Sequence, residues 1–187
     1  MKIKGESLVV LPEYIKEKFG TSGLMEWRDS LSPEAREIFS SDVKPYEWYD
    51  LRSHYLEPVK KICDLFFEGG FQGATEAGRA DADRALSGVF RFFVRFGSPG
   101  FIVRRASVLF PSYYKESSMR VVEVSQKGFV LWVMEFGNEK MEEINTYTIS
   151  GWMQRAMELC GCENVVVEAK RNIVDGKEIV AFVARWD

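Results

Sequence analysis

The sequence predicts an α+β fold, with an amino-terminal helical layer packed on an antiparallel sheet of roughly four strands. Three observations carry this. Apolar residues recur at three- and four-residue spacing through the first hundred residues, the helical period. Near residue 118 the pattern switches to alternation, the period of strands. Two alternating stretches then flank one amphipathic helix, giving hairpin–helix–hairpin. A chain of 187 residues suits a single domain, with residues 1–112 as the helical layer and 113–187 as the sheet region.

The elements follow in order. In "LPEYIKEKFG", Leu11, Ile15 and Phe19 lie on one helix face, and Gly20 closes the helix with a positive φ. "TSGLMEWRDSL" continues with Leu24, Trp27 and Leu31. "SPEAREIF" presents Ser32 as N-cap and Pro33 at the first helical position. "VKPYEWYD" reads as a loop with an aromatic cluster. "DLRSHYLEPVKKICDLFF" carries the stripe Tyr55, Val59, Ile62 and Phe66, with Pro58 kinking or dividing the helix. "ATEAGRADADRALSGVFRFFVRFG" is the longest helical stretch, its start rich in Ala and Gly. Ser98 and Pro99 begin another helix in "SPGFIVRRASVLF". "MRVVEVSQKGFVLWVMEF" reads as two strands joined at Gln126-Lys127-Gly128. "TISGWMQRAMELCG" is a helix with Ile149, Trp152, Met153, Ala156, Met157 and Cys160 on one face. "ENVVVEAKRNIVDGKEIVAFVARW" is a hairpin turning at Asp175-Gly176.

Composition excludes several classes. Hydrophobic residues make up 46% and charged residues 28%, which argues against disorder. The net charge of -3 lacks the basic balance of a nucleic-acid binder. No apolar stretch is long enough to span a bilayer, and the run "LVVL" is too short for a signal peptide. Three cysteines, Cys63, Cys160 and Cys162, form no CxxC pair, so a reducing cytoplasm is expected. No Gly-x-Ser-x-Gly elbow, phosphate loop, His-Glu-x-x-His or dinucleotide fingerprint occurs, and no catalytic residues are assigned.

The opening "MKIKGESLVVLPEYIKEKFG" resembles the start of haem–nitric-oxide/oxygen-binding domains. The closing "GWMQRAMELCGCENVVVEAKRNIVDGKEIVAFVARW" is similar to the end of the four-vinyl-reductase-like ligand-binding domains. Both belong to one superfamily, shared with subunits of a Golgi vesicle-tethering complex. Gly97-Ser98-Pro99, Tyr113-Tyr114…Arg120-Val121 and Gly151-Trp152…Ala156…Leu159 resemble an uncharacterised bacterial branch of it. The resemblance implies helices packed on an antiparallel sheet with an apolar cavity between. It does not fix function, because members bind haem, bind other small molecules or hold complexes together. The sequence departs from the haem-binding pattern. The helix at residues 99–110, which corresponds to the one bearing the family's proximal His, has none, and no Tyr-x-Ser-x-Arg string occurs. Asn172 and Val180 stand where the vinyl-reductase-like members often carry metal-binding cysteines.

The residues themselves leave alternatives open. His54, the only histidine, suits an axial ligand or general base, and suits equally a satisfied residue beside the Tyr55 stripe. Cys160 and Cys162 suit soft metal ligation or, on an apolar face, small buried hydrophobes. Arg84, Arg91 and Arg95 share a face of the long helix, where they serve an anionic ligand or pair with acids such as Asp81 and Asp83. Phe90, Phe93, Tyr113, Tyr114, Trp132 and Trp152 either fill a core or line a pocket. The expectation is a non-catalytic small-molecule-binding or sensory domain with an apolar pocket, no haem and no metal. His54, Arg91 and these six aromatics are its candidate ligand-binding residues, and its ligand is apolar or amphipathic. The competing expectation is a homodimeric interaction module with a filled cavity. A homodimer is expected through the amino-terminal helical layer, because the Ala/Gly-rich start of the long helix suits close helix packing; the alternative is that this face packs inside the monomer.

Overall fold

The computed structural model describes residues 1–87, 107–108, 110–125, 129–135, 142–174 and 177–187. Strand β1 (Lys2–Lys4) leads directly into α1 (Gly5–Ser30). Gly20 breaks α1 with φ +75° and ψ −173°, a backbone shape that side-chain-bearing residues avoid, so the predicted stop is a sharp kink and the helix resumes after it. Helix α2 (Pro33–Ser40) starts where expected, Ala35 N–H donating to Ser32 Oγ at 3.3 Å.

Strand β2 (Trp48–Asp50) occupies part of the segment predicted as loop. A wide π-helical turn, Arg52–Leu56, precedes α3 (Glu57–Phe66). Pro58 sits in the first turn of α3, so the helix is divided there rather than bent through its middle. Trp27 Nε1–H donates to the Pro58 carbonyl at 3.0 Å, pinning α1 to this junction.

Helix α4 (Gln72–Ala85) ends earlier than the predicted helix over 74–97. At its end Ser87 Oγ donates to the Arg84 carbonyl at 2.7 Å, satisfying a terminal acceptor. Of the predicted arginine stripe, Arg84 is described: it lies in α4 and pairs with Glu13 of α1 at 2.5 Å. Arg91, Arg95, Phe90, Phe93, the Ser98-Pro99 helix start and the two predicted hairpin turns lie outside the described residues.

Strand β3 (Tyr114–Lys115) pairs with β1, which also pairs with β2, so β2-β1-β3 form a small antiparallel sheet that the sequence reading did not contain. The main sheet agrees with expectation. Strands β4 (Ser118–Ser125), β5 (Phe129–Glu135), β6 (Val166–Val174) and β7 (Lys177–Arg185) form an antiparallel sheet in the order β4-β5-β7-β6. Helix α5 (Glu143–Leu159) stands between the two hairpins in sequence. Its Met153 and Met157 share one core with Met134, Val180 and Phe182 of the sheet and with Trp27 and Ile62 of the helical layer.

The Ala/Gly-rich face of α4 is consumed inside this fold. Gly73, Ala74, Ala77, Gly78 and Ala82 are buried. A Cβ on Gly78 would lie 1.9 Å from the Thr148 carbonyl oxygen, and one on Gly151 would lie 2.1 Å from that of Thr75. The two glycines thus let α4 and α5 touch backbone to backbone. The small-residue face expected to make a dimer packs instead within the chain.

Candidate functional site

Beside this helix crossing lies a cavity of about 30 Å³. On that measure a water needs roughly 10–15 Å³, so the cavity holds about two small groups. Its floor is the crossing itself, with Gly78 and Asp81 from α4 and Thr148, Ile149, Trp152 and Met153 from α5. Tyr55 enters from the π-helical turn, Phe110 and Tyr113 from the residues leading into β3, and Tyr114 from β3 itself. Met119 of β4 closes the set. The short β1–β3 pairing positions the tyrosines, because Ile3 opposite Tyr114 is fully buried. Phe110 and Tyr114 stack with centroids 4.6 Å apart.

The polar groups are unevenly satisfied. Tyr114 Oη donates to Asn145 Oδ1 at 3.2 Å, and Thr148 Oγ1 lies 2.9 Å from the Asn145 carbonyl and 3.1 Å from Oδ1. Asn145 is fully buried, and its Nδ2 has no partner among the described residues. Burial pushes the hydroxyls of Tyr55, Tyr113 and Tyr114 above the ordinary tyrosine range, and the nearby Asp81 carboxylate adds to this in all three. These tyrosines are neutral hydrogen-bonding groups at any physiological pH.

Among the described residues of the lining, Asp81 is the charged one. It is 8% exposed and accepts one hydrogen bond, from Ser7 Oγ to Oδ2 at 2.9 Å. Among the described residues no basic side chain forms an ion pair with it. Burial is the main cause that raises its carboxyl to about 6, with Glu6 raising it further, while the Ser7 hydrogen bond and Arg84 pull the other way.

Three sequence-predicted residues meet here: Tyr113, Tyr114 and Trp152. Trp132 is placed by register in β5, opposite Phe182 of β7 and Val121 of β4. His54 lies outside the lining. Its Nδ1 accepts from the Asp50 N–H at 3.2 Å, and its Nε2 is 3.2 Å from Glu34 Oε1. Both ring nitrogens are therefore engaged in holding the start of the π-helical turn. Burial pushes the Cys160 thiol up to about 12 and raises Cys162 as well, so neither favours the thiolate a metal would need. Sequence reasoning missed Asp81 as a cavity residue and assigned it to surface arginines. Its i+3 spacing from Gly78, on a face of small residues, was the available signal.

No family model matches the chain, and no curated protein matches it. Solved structures do. An Fe(II) unliganded H-NOX protein from K. algicida has a TM-score of 0.68 at 12% identity, covering 99% of this chain and 97% of that one. The fold is that of an H-NOX domain. A T. Tengcongensis H-NOX mutant superposes with a TM-score of 0.66 at 12% identity, over 99% and 98% of the two chains. An oxygen-binding H-NOX domain related to soluble guanylate cyclases, in its oxygen complex, gives 0.64 at 13% identity over 99% and 95%. Identities this low establish shared architecture across essentially the whole chain and leave the chemistry of the site to its own residues.

Proposed function

We propose that this chain is a non-catalytic, small-molecule-binding sensory domain on the H-NOX fold, a single domain acting in the cytoplasm without haem. The observation that carries this reading is the cavity beside the α4–α5 crossing, where aromatic rings and one buried carboxyl surround space for a small ligand. Its walls suit an apolar or amphipathic molecule.

Haem is the group this fold implies, and the described residues fit it poorly. The single histidine is held by Asp50 and Glu34 away from the cavity. The tyrosines that do line it resist the ionisation a tyrosinate ligand requires. About 30 Å³ is also far below the roughly 300–1,000 Å³ of a typical small-molecule pocket. Titrating hemin into the purified protein tests this. No saturable Soret band is expected, and a sharp one at one equivalent would overturn the reading. Native mass spectrometry of the freshly purified protein is expected to show a stoichiometric adduct below the mass of haem.

The same small volume favours a second reading, a homodimeric interaction module whose cavity is filled by its own side chains. Light scattering separates the two. A clean dimer with no adduct selects the module, and a monomer of about 21.5 kDa removes it.

A further inference from the structure

We propose that the cavity is a recognition site for a small organic ammonium ion, a primary or methylated amine held by the Asp81 carboxylate against the faces of the surrounding aromatic rings. This rests on the reading of the cavity as a ligand site and names the class of ligand.

Three features converge. Asp81 is more than nine-tenths buried, lines the cavity and is hydrogen-bonded by Ser7 alone among the described residues. A carboxylate withdrawn from water without a counter-charge is costly, and a cation at this point offsets that cost. The surroundings are those that stabilise ammonium groups. Tyr55, Phe110, Tyr113, Tyr114 and Trp152 line the same space, and aromatic surroundings attract alkylammonium ions through the negative faces of their rings. The size agrees too, since the cavity admits about two small groups, the dimensions of methylammonium rather than of tetramethylammonium.

The local field has the matching sign. Facing Asp81 are Glu6 and Ser7 of α1, Arg84 of α4, Tyr55, Tyr113 and Tyr114. Arg84 is the only cation in this group, and its guanidinium is paired with Glu13 at 2.5 Å. Glu6 adds a second negative charge near Tyr113 and Asp81. An anionic ligand would meet two carboxylates here, and a neutral one would leave Asp81 uncompensated.

Binding is measured by NMR titration of the full chain with methylammonium chloride. Sodium chloride at equal ionic strength, ethanol and tetramethylammonium chloride serve as controls. Saturable shifts are expected with methylammonium alone. Because the carboxyl must be ionised and titrates near 6, apparent affinity should fall about tenfold between pH 7.5 and pH 5. Asp81→Asn keeps the shape and the acceptor for Ser7, and affinity should drop at least tenfold. Ser7→Ala leaves the carboxylate in place and should keep or strengthen binding. Equal affinity in Asp81→Asn, or equal binding of ethanol, overturns the ammonium assignment while leaving a ligand cavity intact. No saturable response to methylammonium at either pH also overturns it, and the adduct measured by native mass spectrometry then judges the cavity reading separately.

Discussion

Two carboxylates on the α4–α5 helix pair are treated in opposite ways. On the outer side, Glu158 of α5 receives Arg79 of α4 through two hydrogen bonds, at 2.8 and 2.7 Å, and Arg155 at 3.3 Å. Arg79 is the first cause that holds its carboxyl below the ordinary glutamate range. On the cavity side, Asp81 has a hydroxyl for company and is raised to about 6. Among the described residues, the same two helices thus carry one charge that is answered and one that is not. A charge that only had to be tolerated would be paired, as Glu158 is, or replaced by an apolar residue at little cost. An unanswered buried carboxyl next to open space marks the place where the fold departs from what stability alone selects.

The comparison depends on how closely the two helices meet, and the largest effect comes from forcing them apart. Gly78→Val should lower unfolding free energy by at least about 3 kcal/mol, because its Cβ falls on a backbone oxygen that cannot rotate away. Urea denaturation followed by circular dichroism measures this. A cost below 1 kcal/mol, on the order of a tolerated surface change, would mean that the crossing relaxes easily and does not set the cavity's shape.

Next in size is removal of the unanswered charge. A carboxyl raised from 3.8 to about 6 destabilises the folded chain by on the order of 2–3 kcal/mol when ionised. The sign follows from linkage. The folded state holds the proton more tightly, so the penalty is absent below the unfolded value and complete above the folded one. Asp81→Asn should therefore be more stable than the parent chain at pH 7.5 and close to it at pH 3.5. A parent chain that gained stability from pH 4 to 7 relative to this variant would show that Asp81 is compensated after all.

The sequence made the answered parts of this molecule legible and hid the unanswered one. Periodicity placed α1, α3, α5 and the four strands of the main sheet, because their apolar residues recur at the helical or the alternating period. Ser32, Gly20 and the proline of α3 marked boundaries through local backbone chemistry that needs no tertiary partner. The small sheet was invisible, since strands of two or three residues are too short to show a period and exist only through pairing between residue 3 and residues 49 and 114. The glycines of α4 signal close approach, and sequence alone does not say to what; here Gly78 meets α5 of the same chain. Tyr113, Tyr114 and Trp152 were found through their aromatic character, whereas Asp81 looked like any acid on a charged helix.

The smallest effect belongs to the paired side and reverses the pH dependence. Arg79→Met retains most of the aliphatic stem and removes the guanidinium that holds Glu158. The two side chains are about a quarter exposed, so the ion pair is partly screened, and Arg155 still reaches Glu158 after the change. The expected loss is about 1 kcal/mol at pH 7. Because the folded carboxyl is lowered, its contribution is present above the ordinary glutamate value and disappears as pH falls through the lowered one. Urea titrations of the parent and the variant at pH 7 and pH 3 should converge in acid, where the Asp81→Asn pair also converges. The two variants should then diverge in opposite directions as pH rises, one gaining on the parent chain and the other losing. If Arg79→Met costs as much at pH 3 as at pH 7, the arginine contributes through packing of its stem against α5, and Glu158 would no longer stand as the answered counterpart of Asp81.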